Sequence, residues 1–185
     1  MSPDTVLVVN SGSVPVAVDD VEWLEQGDLG PSQSGRLAGV LTDDTIEAAL
    51  GKLRPIRRQD MPVEGEWKRP PFPDRVVNGR ATAVICEDPG LSPIVVDRED
   101  GYVLQLDPDE RPWMMNSSVA QLVACARAYQ RALRAAFLVE SGESDDAIDE
   151  IVERLCAGIA GIDAPSIENE NWIWPAIAEE FRSGM

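Results

Sequence analysis

The chain has 185 residues with a hydrophobic content of 44%, enough for one globular domain with a core, and its 14 Gly and 14 Pro follow no period, which excludes collagen-like and repeat architectures. Its 33 Asp and Glu outnumber 16 Lys and Arg, giving a formal net charge of -17, where solubility alone asks a magnitude of about 2–8 of a small domain. Such a surface repels phosphate backbones and anionic headgroups and attracts basic proteins, so nucleic acid and membranes are not the expected partners. An acidic bias of the whole proteome is the plain alternative.

At the N-terminus, Val6–Val9 and Val14–Val18 form β-branched runs around Asn10-Ser11-Gly12-Ser13, the pattern of a hairpin whose second strand Pro15 confines to an edge. The first run is too short for a secretory hydrophobic region and no basic residue precedes it. No stretch approaches the ~20 apolar residues of a membrane span, so the cytoplasm is the expected address. Residues 27–39 are rich in Gly and Ser and read as a loop. Thr42-Asp43-Asp44 then opens a helix with an apolar stripe of Ile46, Ala49, Leu50 and Leu53. Arg54 to Asp74, Pro-rich and locally basic, reads as an irregular surface connection that includes Pro70-Pro71-Phe72-Pro73.

From Arg80 onward four strands are expected: Ala81–Glu87, Pro93–Val96, Tyr102–Leu106 and Trp113–Asn116. The breaks between them are short and turn-rich, and a parallel crossover needs a dozen or more residues, so the strands form an antiparallel meander. Ser118 and Gln121 fit a capping box ahead of a long helix that buries Val119, Leu122, Val123, Ala126, Tyr129, Leu133 and Phe137. Arg127, Arg131 and Arg134 fall on another stripe and read as a solvated face. After an acidic turn, Ile148, Ile151, Val152, Leu155 and Ile159 define a second helix expected to stop at Gly158 and Gly161, its first turns holding Asp145, Asp146, Asp149 and Glu150 at the positive end of the helix dipole. A last helix starts near Pro175 and buries Ile177, Ala178 and Phe181, with Trp172 and Trp174 ahead of it. A sheet followed by helices on one of its faces is an α+β fold, and one domain is expected over residues 1–185.

What is missing narrows the chemistry. Without histidine there is no Ser-His-Asp or Cys-His machinery, no His-ligated zinc and no zinc deaminase signature. Cys86, Cys125 and Cys156 are far apart and set among apolar neighbours, so they read as buried thiols of a reducing compartment and not as a disulfide or metal framework. Gly51-Lys52 lacks the upstream glycine of a P-loop, and no Gly-x-Ser-x-Gly or Gly-x-Gly-x-x-Gly occurs. Only carboxylates remain in quantity; Asp107, Asp109 and Glu110 lack the pattern of an EF-hand and fit an ordinary turn. No cofactor, metal or catalytic residue is expected.

The order of elements, with Pro93-Ile94-Val95-Val96-Asp97, Gly101-Tyr102-Val103-Leu104-Gln105-Leu106-Asp107, Trp113-Met114-Met115-Asn116-Ser117-Ser118 and the closing Asn171-Trp172-Ile173-Trp174-Pro175, resembles the SUKH superfamily, most of all its SUKH-4 immunity branch. The resemblance covers residues 80–185, and residues 1–74 carry no matched motif. It implies a bacterial immunity protein that binds and neutralises a toxin, a nuclease or a nucleic-acid deaminase, by direct contact. The motif is a scaffold signature and names no catalytic residue. A non-catalytic scaffold like the related regulators of fungal cell-wall synthesis is the alternative. The charge fits a partner with a basic surface. Two acidic surfaces could meet it: Asp97, Glu99, Asp100, Asp107, Asp109 and Glu110 on the sheet's turns, or Glu140, Glu143, Asp145, Asp146, Asp149, Glu150 and Glu153 around the start of the second long helix. The turns are favoured, because their tips can project into a cleft.

Overall fold

The structure, a computed structural model, describes residues 40–53, 62–63, 65–87, 92–139, 145–170 and 172–183. The expected N-terminal hairpin, the loop before residue 40 and residues 141–144 of the acidic turn expected at 141–146 lie outside them, while Asp145 and Asp146 belong to a helix. Helix α1 spans Asp43–Leu50 as its cap foretells: Thr42 has extended backbone and its hydroxyl accepts from the Thr45 N–H. Strands β1 (Glu66–Trp67), β2 (Asp74–Val77), β3 (Arg80–Glu87), β4 (Ile94–Asp97), β5 (Val103–Leu106) and β6 (Pro112–Asn116) follow, then α2 (Val119–Leu138), α3 (Asp145–Asp163), a short 3-10 turn at Ala164–Ile167 and α4 (Ile173–Arg182).

All six strands pair antiparallel, in the order β1-β3-β4-β5-β6 with β2 also paired to β3. The stretch expected to be an irregular surface connection, Arg54 to Asp74, therefore supplies one strand, β1, and the first residue of another, β2. Its Phe72 is a core residue, and the Phe72 N–H donates to Asp43 Oδ2 at 3.0 Å. Between β2 and β3, Asn78 and Gly79 both take positive φ (51° and 79°), the conformation that two-residue hairpins demand and that Asn-Gly adopts most readily. Bulges between Val84 and Cys86 and between Val103 and Leu104 interrupt the register and add local twist.

The sheet has two unlike faces. Ala83, Ile85, Ile94, Val96, Val103 and Met115 meet α1, α2, α3 and α4 in the main core, where Tyr129 of α2 packs edge-to-face on Phe181 of α4. Val77, Val84, Val95 and Leu106 form a small second cluster, with Leu104 against it. The helical layer corrects three sequence expectations. Phe137 is 79% exposed, because the last turn of α2 leaves the core. Helix α3 runs through Gly158 and Gly161 to Asp163: a mid-helix glycine costs about 1 kcal/mol, while each of the buried Ile151, Val152, Leu155 and Ile159 returns about 1.5–3 kcal/mol. Helix α4 begins two residues before Pro175, which is tolerated there because first-turn N–H groups have no intrahelical partner. Trp174 thereby lies inside the helix and is fully buried.

Candidate functional site

The β4–β5 turn is built by Asp97. Its Oδ1 accepts the N–H groups of Glu99 (2.8 Å) and Asp100 (3.1 Å), Gly101 N–H closes onto the Asp97 carbonyl, and Gly101 supplies the positive φ of 80°. Asp97 Oδ2 meets Arg80 Nε at 3.0 Å. Arg80 Nη2 also contacts Asp100 at 2.7 Å and Glu99 at 3.4 Å, and the Asp100 hydrogen bond foremost raises its pKa against the opposing effect of burial. Asp97 thus departs from its expected place on a partner-facing surface. It is 3% exposed and its carboxylate is spent on the turn and on Arg80, whereas Glu99 keeps 61% of its side chain in solvent.

Arg98, from the same turn, points elsewhere. It reaches Leu41 O (3.0 Å), Asp43 Oδ1 (2.8 Å) and Asp74 Oδ1 (2.8 Å), pinning the start of α1 to β2. The hydrogen bond from Arg98 holds the Asp43 carboxyl below the usual carboxylate range, helped by the Phe72 N–H and opposed by burial. The β5–β6 turn repeats the device of its neighbour. Asp107 Oδ1 accepts from Asp109 N–H and Arg111 N–H, Oδ2 accepts from Trp113 Nε1, and the Arg111 bond foremost lowers the Asp107 pKa. Asp109 pairs with Arg111, and Glu110 with Arg75 of β2 at 2.6 Å.

The two turns do not form one acidic patch. They lie at opposite ends of β5, separated by about 10 Å of strand. The third group stands apart from both at the start of α3. There Asp146, Asp149 and Glu150 are exposed, with Asp149 paired to Arg182 and Glu150 to Arg154; Asp145 opens the helix, and Glu140 and Glu143 lie outside the described residues.

Beside the β4–β5 turn, on the sheet face turned away from the main core, is a recess of about 340 Å³. Val77, Thr82, Asp97, Tyr102, Leu104, Pro112, Met114 and Trp172 line it, together with Asn78 and Arg80. The sequence drew attention to Asp97 but not to Arg80 or to this apolar wall. Strand alternation puts Thr82 and Val84 on one face of β3, but nothing local shows that Trp172, some ninety residues on, joins the same recess.

On the helical side, Asn116, Ser117 and Asp163 form a buried lock. Asp163 accepts from Asn116 Nδ2 (3.0 Å), Ser117 N–H (2.8 Å) and Ser117 Oγ (2.7 Å), and Asn116 Oδ1 accepts from Trp174 Nε1 (3.2 Å). These bonds tie β6 to the ends of α3 and α4. The Ser118 hydroxyl accepts from Gln121 N–H as a helix cap should, while the Gln121 amide turns to the Ser118 hydroxyl and the Ile162 carbonyl. The arginine stripe of α2 is only partly solvated: Arg131 Nε is buried without an acceptor, and burial, then the nearby Arg127, lower the Arg131 pKa.

Among the described residues no helix is long and apolar enough to cross a membrane, and no group of three or more Cys, Asp or Glu is placed to hold a metal ion. No curated protein and no solved structure matches the chain. The family model described as SUKH-4 immunity protein matches residues 51–180, from the end of α1 into α4, and so takes in the whole sheet, the recess and the Asn116–Asp163 lock. With that match covering well over half of its length, the chain belongs to the SUKH-4 immunity protein family.

Proposed function

We propose that this immunity protein neutralises one cognate toxin by forming a stoichiometric complex in the cytoplasm, without turnover, and that the toxin domain presents a basic surface of the kind found on nucleases and nucleic-acid deaminases. The observation that carries the reading is the joining of family membership to a net charge of -17. A nucleic-acid-processing domain must be cationic where its substrate lies, and an anionic inhibitor gains both encounter rate and selectivity from that field. The same charge opposes nucleic acid and anionic membranes as partners. Of the three acidic groups, the β4–β5 turn with Glu99 and Asp100 is the proposed point of contact, since its carboxylates outnumber their cation and it flanks the recess. The β5–β6 turn (Asp107, Asp109, Glu110) and the α3 start (Asp145, Asp146, Asp149, Glu150) add to the field that steers the approach.

The test is to mix the purified chain with the toxin domain encoded beside it. A one-to-one complex on size exclusion, loss of toxin activity at equimolar ratio, and an association rate that falls at least tenfold between low and high salt are expected. Sub-stoichiometric inactivation of the toxin, which requires turnover, would refute the reading.

A further inference from the structure

The recess beside the β4–β5 turn has a composition that selects its occupant. Its wall is apolar and partly open: Tyr102 is 41% exposed, and Leu104, Met114 and Trp172 are half-buried. Its polar floor is already satisfied. Thr82 Oγ1 donates to the Arg75 carbonyl at 3.0 Å, and the Asp97 carboxylate is taken up by Arg80 and two backbone N–H groups. The floor therefore asks nothing of a ligand, while the wall offers apolar contact to a side chain long enough to enter.

Charge decides the rest. Asp97, Glu99 and Asp100 share the single guanidinium of Arg80, so three carboxylates against one cation leave two negative charges uncompensated. Arg80 spends its Nε and Nη2 donors on these carboxylates, and an anion approaching its remaining Nη1 donors would meet their two excess negative charges. A long cationic side chain meets both demands: its methylene stem lies along the apolar wall, its head goes to Glu99 and Asp100, which do not line the recess but contact Arg80, which does, and Tyr102 and Trp172 supply rings that can face the cation. At about 340 Å³ the recess lies at the lower end of the usual range for ligand pockets, about 300–1,000 Å³, and exceeds what one such side chain fills, leaving room for part of the loop that carries it.

We propose that this recess is the anchor pocket for an arginine or lysine side chain on a protruding loop of the cognate toxin. The assignment rests on the toxin-binding reading above and adds the chemistry of its central contact. Net charge alone gives steering, which is spread over the surface and screened by salt. A side chain seated against an apolar wall slows dissociation at one place.

The test uses the full-length chain and the toxin domain encoded beside it, with dissociation constants measured by surface plasmon resonance. Glu99→Lys and Tyr102→Ala replace well-exposed residues, and Met114→Arg places a cationic chain of this protein's own in the recess; thermal melts report whether each variant folds. Each is expected to weaken the complex at least 30-fold, mainly through faster dissociation, while Asp149→Lys at the start of α3 changes it less than threefold. Alanine replacement of the toxin's arginines and lysines one at a time is expected to find one whose loss is not additive with Glu99→Lys. If the unsubstituted chain binds the toxin and folded Glu99→Lys and Tyr102→Ala bind equally well, the pocket assignment fails and the immunity reading stands. Tighter binding by Glu99→Lys overturns it too, because the anchor would then be acidic. Absence of any complex with the unsubstituted chain overturns both.

Discussion

Replacing Asp163 with alanine isolates the lock that joins the sheet to the helical layer. Asp163 is 2% exposed and accepts three hydrogen bonds, from Asn116 Nδ2, Ser117 N–H and Ser117 Oγ. It is also the last residue of α3, where a negative charge opposes the helix dipole, so these bonds must also offset that repulsion. A buried donor left without an acceptor costs about 1–3 kcal/mol. Asn116, fully buried, keeps only a weak bond from Nδ2 to Cys125 Sγ at 3.4 Å and bears most of that cost, whereas Ser117 is only part-buried and water can replace part of what it loses. Removing the carboxylate also removes the cost of burying it, so the net loss expected for Asp163→Ala is about 2–4 kcal/mol. Asp163→Asn keeps the shape but turns an amide donor toward one of three donors, and about 1–3 kcal/mol should be lost. Urea unfolding gives these values from the shift in midpoint at unchanged slope, and the melting temperature should fall by about 2–4 °C per kcal/mol. In a double-mutant cycle, Asn116→Ala with Asp163→Ala should show a coupling of about 1–2 kcal/mol. A loss below 0.5 kcal/mol for Asp163→Ala, or strict additivity in the cycle, refutes this account of how the layers are joined.

Thiol chemistry should be quiet: burial pushes the Cys125 thiol from 9.0 up to about 12, so near pH 8 its thiolate is about a thousandfold scarcer than that of a free cysteine, and burial raises Cys156 as well. Iodoacetamide labelling followed by mass spectrometry should show Cys125 untouched in the folded chain and three modified sites only in denaturant; rapid native labelling of Cys125 counts against the fold. Arg131→Met keeps the aliphatic stem and removes an Nε that has no acceptor, so the variant should be about 1 kcal/mol more stable in urea, whereas a loss of stability would show that Arg131 has an acceptor after all. The pH profile follows from Asp43 and Asp107, whose folded pKa values lie below the ordinary 3.8. A depressed carboxylate contributes stability above its unfolded pKa and loses it as pH falls through the folded value. With no histidine in the chain, the melting temperature should stay flat from about pH 5 to 8 and drop from about pH 4 downward, less steeply in Asp43→Asn. A drop between pH 5 and 7 is the contrary result.

The meander and its helices were legible because their signals are local. Strands β3 to β6 and α2 each announce themselves within a few residues, by alternation, by turn chemistry at Asp97–Gly101 and Asp107–Arg111, and by the Ser118 cap. The β2–β3 hairpin was equally legible at Asn78-Gly79 but was hidden by the Pro-rich stretch before it, which reads as a linker although Phe72 belongs to the core. The element order pointed to the family, since it does not depend on where the chain folds back.

What sequence could not decide is which carboxylates face solvent and what they sit beside. Asp97 and Glu99 are two residues apart and chemically alike, yet one is buried against Arg80 and the other exposed. The difference lies in partners far along the chain: Arg98 meets Asp43 at a separation of 55 residues, and Asn116 meets Asp163 at 47. Trp172 reaches a recess whose other residues lie between 77 and 114. Composition and spacing set the sign of the surface and the kinds of element, because those follow from residue type and nearest neighbours. The position of each charge, and the existence of the recess beside the β4–β5 turn, came from packing two layers together, a property of the folded chain that no window of sequence contains.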